Sequence, residues 1–218
     1  MKYAIVAALS GGLLLACAGP GTRSDSGKPA DAKRPPAAAE ALPVLHREDT
    51  LWLARVAFGL DSASVAEYRR LGRNRFLEQQ LEARDGALPA PIAAQINALE
   101  ISHADPQKWL ADVNARYKTI NAMPDGPDKE QARKTLNDHG NTLAYEAIRR
   151  ELLRAVYSPS QLQEQMEWFW LNHFSVHQYK ANLRWLVGDY SERAIRPHAL
   201  GHFKDLVLAT LEHPAMLQ

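Results

Sequence analysis

From about residue 46 to the end of the chain, no run alternates apolar and polar residues with period two, and β-branched residues are sparse. Helix start and stop signals recur instead. Asp49 or Thr50 is placed to cap a helix over LWLARVAF, stopped by Gly59. Ser64 with Glu67 reads as a capping box for a short helix ending near Gly72. Arg73 to Ala83 follows, with Phe76, Leu77, Gln80 and Leu81 at helical spacing. Asp105-Pro106 is a strong start, and Trp109, Val113, Tyr117 and Ile120 fall on one face of the helix it opens. The turn Pro124 to Asp128 breaks that helix. A long one is expected from about Lys129 to Tyr157, with Leu136, Leu143, Ala147 and Val156 as its buried stripe and Gly140 as a weak point. Ser158-Pro159-Ser160-Gln161 restarts the chain with proline in the first turn. Shorter helices are expected over Lys180 to Val187 and over Phe203 to Glu212. The fold class this predicts is all-α: a multi-helix orthogonal or bundle-like domain over residues 46–218.

The N-terminal end cannot join such a core. Residues 18–43 are rich in Pro, Ala, Gly and Ser, with almost no large apolar groups. A segment of that kind cannot bury enough surface to offset its ordering entropy. It reads as a flexible tether that reaches on the order of 80 Å at about 3.1 Å per residue. Before it stand a basic Lys2, an apolar stretch from Tyr3 to Leu15, and Leu14-Leu15-Ala16-Cys17. The apolar stretch is too short to span a bilayer comfortably. The four residues resemble the lipobox of bacterial lipoproteins. That resemblance implies a signal peptide over 1–16, lipid attachment at Cys17 and an acylated tether over 17–45. Several acyl chains hold a protein on a membrane where one does not. Ala18 rather than Asp after the cysteine implies, in a Gram-negative envelope, the outer membrane. The alternative is an ordinary secretory signal with Cys17 incidental.

Composition narrows the partners. The 218 residues are 46% hydrophobic and carry a formal net charge of +1, so no global field recruits nucleic acid or anionic lipid. The single cysteine excludes an internal disulfide and a cysteine-based zinc site. No GxSxG, P-loop or GxGxxG occurs, and no cofactor is signalled.

The densest chemistry lies in EQMEWFWLNHFSVH, Glu164 to His177. Leu162, Met166, Phe169 and His173 share one helical face, Trp170 and Phe174 flank it, and Trp168 falls opposite. A helix apolar nearly all round is a buried central helix, so Phe169, Trp170 and Phe174 are expected in the core. His173 and His177 are four apart, as are His198 and His202, and on a helix such pairs could bind a transition metal. No HExxH or ExxH pattern accompanies them, and Pro197 and Gly201 disturb the second pair. The expectation is therefore no metal, with His173 a core histidine hydrogen-bonded to a carbonyl or carboxylate. Glu164 and Glu167, one turn apart, read as a surface pair before an acid/base couple. The basic run Arg69 to Arg75 reads as a solvated face before a phosphate or anionic-glycan site.

Three stretches together, LWLARVAFG (51–59), MEWFWLNHF (166–174) and RAIRPHALGHFKDLVLATLEHPAML (193–217), resemble the bacterial family catalogued as domain of unknown function 1800. The resemblance runs from about residue 46 to the end. It implies an exported, largely helical protein and transfers no catalytic residue. Pro197 stands where an acidic residue is usual in the family and His202 where asparagine is common, which weakens the second histidine pair further. Family members continue past Pro-Ala-Met-Leu, so this chain is expected to be the N-terminal portion of a longer domain. Buried Asn172 and His173 would then tie their helix to the Arg55 helix or to the His198 turn, or line a pocket that the remainder completes.

Two functions follow as expectations. The first is an envelope-anchored lipoprotein whose helical domain binds or organises an envelope protein or glycan. The second is an exported enzyme, such as a hydrolase, with His173, Asn172 and His198 near its site.

Overall fold

The computed structural model describes residues 45–82, 87–103, 105–180 and 182–217. The expected signal peptide, Cys17 and all but the last residue of the tether lie outside the described residues. Those described form helices joined by short turns, with no strand among them. The all-α expectation is met.

The N-terminal helices are α1 (Arg47–Val56), α2 (Ser62–Leu71) and α3 (Arg73–Glu82). α1 starts two residues before the expected caps, and Asp49 instead accepts a hydrogen bond from the Tyr68 hydroxyl. Its Leu53 and Val56 pack with Tyr68 and Phe76 into one apolar cluster, edged by Trp52 and Leu162. The Ser64–Glu67 box does not form. Asp61 caps α2, its carboxylate accepting from the N–H groups of Ala63 at 2.8 Å and Ser64 at 3.0 Å. Glu67 turns to Arg70 instead, at 2.6 Å. Gly72, at φ 75°, makes the turn into α3, a conformation that an L side chain resists. Along α3, Gln80 is buried while Leu81 is exposed.

α4 (Ala90–Asn97), not anticipated from the sequence, opens with Pro91 in its first turn. α5 (Pro106–Ala122) is capped by Asp105, as read. Its Val113 and Ile120 meet Leu136 and Leu143 of α6 (Pro127–Tyr157) and Trp185 of α8 (Leu183–Asp189), with Trp109 and Tyr117 at the margin. A fully buried aliphatic side chain of this kind contributes roughly 1.5–3 kcal/mol. α6 and α8 approach along small residues. A Cβ at Gly140 would lie 2.5 Å from Arg184 Cδ and 2.9 Å from Trp185 Cε2. The expected weak point is thus a close-packing site. Gly188 sits against Ala147, where an added Cβ would lie at 3.3 Å.

α7 (Gln161–His173) begins after Pro159, with Ser160 as its first flanking residue, so the proline precedes the helix rather than entering it. α8 runs directly into a π-helical turn (Tyr190–Ile195) and then a 3₁₀ turn (Arg196–His198). Pro197 has no N–H to continue the ladder. The wide π turn carries Tyr190, Ser191, Ala194 and Ile195 to the inside together. α9 (Phe203–Glu212) has the expected bounds, and its Leu206 joins Leu186, Tyr190 and Ile195 in a third cluster against which Trp170, Leu171 and Phe174 pack.

Candidate functional site

The fully buried side of α7 is polar rather than aromatic, although Trp170 and Phe174 pack against the third cluster as expected. Phe169 is 50% exposed and Trp168 59% exposed, whereas Glu164 and Glu167 retain only 4% and 1%. Gln161 and Gln163 are buried with them. Phe169 therefore does not belong to the core. Its ring lies at the surface, edge-on to Trp170 at 4.8 Å and stacked over His173 at 6.2 Å.

The cause is what α7 packs against. Arg196, held inward by the 3₁₀ turn, is 7% exposed. Its Nη1 and Nη2 donate to the two Glu164 oxygens at 2.7 and 2.8 Å, and Nη1 also reaches Glu167. A buried guanidinium requires such acceptors, since unpaired charge in the interior is prohibitively costly. Burial lowers the arginine's proton affinity, but the hydrogen bond to Glu164 and the charge of Glu167 outweigh it, so Arg196 is cationic at every working pH.

The network extends to α6. Ser191 Oγ lies 2.6 Å from Glu167 Oε1 and 3.0 Å from Glu151 Oε1. A hydroxyl has one proton to donate, so two acid oxygens on one Oγ are satisfied when one acid carries a proton and donates back. Burial pushes the Glu167 carboxyl well above the usual carboxylate range, and the neighbouring charge of Glu151 adds to it. Beyond lie Glu192, bound by Arg154 at 2.7 and 3.0 Å, and Arg150, whose Nη2 donates to the Gly188 carbonyl at 2.6 Å. Burial opposes ionisation of Glu192, yet the Arg154 hydrogen bond and the charges of Arg150 and Arg154 hold it below the usual range. Three guanidiniums (Arg150, Arg154, Arg196) thus meet four carboxyls (Glu151, Glu164, Glu167, Glu192).

Above this junction opens a cleft of about 460 Å³ between α6, α7 and α8. Phe58, Ile148, Leu152, Trp168, Leu171 and Val176 form its walls, and Glu151, Glu164 and Ser191 line it too. A largely apolar cavity of this size with a few convergent polar groups is typical of a binding site. Trp168 stands at the cleft with Phe58, their rings edge-to-face at 6.3 Å. Tyr145, Ile148, Leu152 and Val156 continue the apolar stripe along α6 with 3,4,4 spacing, all exposed. Val156, expected inside, is part of this stripe, because the buried side of α6 here is formed by Ala144, Ala147 and Arg150.

The other candidates fall apart as a group. Asn172 is exposed at the cleft and donates back to the Trp168 carbonyl at 2.7 Å, a bond within its own helix. His173 is exposed and its ring contacts are to Phe169, Trp170 and Phe174, not to a carbonyl or carboxylate. α7 ends at His173, so His177 does not share a helical face with it and lies against Tyr179 instead. His198 ends the 3₁₀ turn, half-buried, and His202 is the exposed residue before α9, so that pair also lacks a common helix. Among the described residues no three potential metal ligands gather. The tie between α7 and its neighbours comes from other groups. Gln165 Nε2 donates to the Ala57 carbonyl at 2.8 Å, Gln161 Oε1 accepts from Phe58 N–H at 3.2 Å, and Trp170 Nε1 donates to the Ala199 carbonyl at 3.0 Å. In the basic run, Arg70 pairs with Glu67 and Arg73 lies over the Trp52 ring at 5.0 Å, so its charges are dispersed.

A residue the sequence reading passed over is His213. It is buried, with Nε2 3.0 Å from Asp189 Oδ2 and Nδ1 accepting from Ala215 N–H at 3.1 Å. Both ring nitrogens are occupied, which fixes the last turn rather than supplying a base.

The fold and site define a helical domain with a charged junction beneath an apolar cleft. A family model described as Protein of unknown function (DUF1800) matches residues 51–218, and the chain belongs to that family. No curated protein and no solved structure matches it.

Proposed function

We propose that this protein is an envelope-anchored bacterial lipoprotein whose helical domain binds an apolar element of a partner protein in the cleft between α6 and α7. The observation that supports this reading is the exposure of so many large apolar groups around one concavity, an arrangement that marks interaction sites on soluble domains. The walls are mostly apolar, and the large aliphatic groups Ile148, Leu152, Leu171 and Val176 outnumber the aromatic Phe58 and Trp168, which favours an apolar protein element over a glycan. Anchoring rests on the lipobox-like Cys17. No helix among the described residues is long and apolar enough to cross a membrane. The enzyme reading draws no support from the placement of His173, whose contacts are aromatic rings.

The test places a photo-reactive side chain at Leu152 in cells making the lipoprotein, with a control at exposed Lys134 on the same helix. A discrete adduct in the envelope fraction from position 152 alone, lost on Trp168→Asp, is expected. Equal adducts from both positions would remove the cleft from the account. Radiolabelled palmitate incorporation that persists in Cys17→Ser would remove the anchor.

A further inference from the structure

The cleft's walls and its floor are chemically unlike, and the contrast points to what enters. We propose that the element bound there presents a lysine side chain, its alkyl stem along the apolar walls and its ammonium on Glu151. This rests on the reading of the cleft as a protein-binding site and adds the chemistry of the occupant.

Charge complementarity singles out the occupant. No basic residue lines the cleft. The basic groups nearby are Arg150, Arg154 and Arg196, and each is committed. Arg196 is engaged by Glu164 and Glu167, Arg154 by Glu192, and Arg150 by Glu192 at 3.2 Å and the Gly188 carbonyl. Glu164 and Glu192 are therefore each matched to a guanidinium. Glu151 is the least tightly matched acid at the cleft. Its one ion pair among the described residues is the long contact from Arg150 Nε at 3.4 Å, on Oε1, and its side chain keeps 24% of its exposure. With Glu167 it forms the pair of carboxyls that Ser191 bridges. An arriving ammonium would place a cation beside that pair.

The geometry also selects lysine over arginine. The Ser191 and Arg150 contacts both fall on Glu151 Oε1. A guanidinium fork wants both oxygens of a carboxylate and would displace them, whereas an ammonium needs a single oxygen. Four methylenes of a lysine stem suit walls made of Ile148, Leu152 and Leu171, since such stems pack along apolar surface while the charge reaches a polar group.

The test uses the acylated full chain in lipid nanodiscs and short immobilised peptides of leucine and alanine that differ at one central position. That position is lysine, arginine or norleucine, the last keeping the stem without the charge. Empty nanodiscs are the control. The lysine peptide should bind about tenfold tighter than the norleucine peptide, the ratio expected of one charge-assisted hydrogen bond, and tighter than the arginine peptide. Glu151→Gln, nearly isosteric and at a partly exposed position, should bring lysine and norleucine level, and Leu152→Asp should abolish both. Equal binding of lysine and norleucine by the unaltered chain, still sensitive to Leu152→Asp, overturns the lysine assignment and leaves the cleft reading standing. Binding of no peptide, or binding indifferent to Leu152→Asp, overturns the cleft reading and the assignment with it.

Discussion

α5 and α7 advertise themselves in the same way and fold in opposite ways. Each carries large apolar and aromatic groups at helical spacing. In α5 that spacing states the buried face, because Val113 and Ile120 meet the apolar sides of α6 and α8. In α7 the face that spacing nominates is turned partly to solvent, and the buried side is Gln161, Gln163, Glu164 and Glu167. The difference lies in the neighbour. α5 packs against hydrocarbon, whereas α7 packs against a turn that delivers Arg196 and Ser191. A helix next to a buried guanidinium is stable only if it offers carboxylates. Its aromatic groups then divide between the margin of the third cluster, where Trp170 and Phe174 pack, and the cleft, where Trp168 stands.

The sharpest way to break this contrast is to remove the cation. Arg196→Ala should cost about 3–5 kcal/mol in a urea melt, because it strands two buried acids. A loss near 1 kcal/mol would mean that water reaches the junction. On the apolar side, Gly140→Ala should cost about 1–3 kcal/mol, since the new methyl meets the Trp185 ring and the Arg184 stem. If denaturation shows it neutral or stabilising, α6 and α8 are looser than described. Within α7, Trp170→Ala should cost about 2–3 kcal/mol, somewhat less than a fully buried aromatic. Phe169→Ala should cost about 1 kcal/mol or less, as surface changes do. A reversed order would restore the face read from the sequence.

The smallest effect is one of pH. Glu167 has its proton affinity raised in the folded chain, so the stability it contributes is full below the usual carboxylate range and is lost as pH rises through its folded value. Glu192 runs the other way, contributing above that range and losing its contribution in acid. The melting temperature of the native chain should therefore fall, relative to Glu167→Gln, as pH increases from the usual carboxylate range. A constant difference across pH would place Glu167 ionised throughout.

The sequence was informative wherever the decisive interaction was local. Asp105-Pro106 opened α5, Gly72 closed α2, and α9 was bounded correctly, because caps and breakers act within a turn. Local signals misled where Asp61 outranked Ser64 as a cap, and at α1, which starts ahead of Asp49 and Thr50 with no side-chain cap. The face of α7 was not local. Glu164 and Glu167 meet a guanidinium about thirty positions later, at Arg196, and hydrophobic periodicity does not encode which polar side chain waits there. A signal did exist: two acids three apart, and two arginines, Arg193 and Arg196, three apart in the following irregular stretch. Only Arg196 is turned inward, while Arg193 stays exposed and pairs with Asp189, and that choice follows from the π turn. The cleft was equally hidden. Its floor gathers Glu151, Glu164 and Ser191 from three elements, and among the residues nominated for function only Asn172 and Glu164 line it.

α7 buries its acids on Arg196. A double-mutant cycle with Glu164→Gln and Arg196→Met, read by urea denaturation, isolates that pairing. A coupling of about 2 kcal/mol or more is expected, as for a desolvated, doubly hydrogen-bonded pair. A coupling below about 0.5 kcal/mol, the value of a solvent-exposed ion pair, would contradict it.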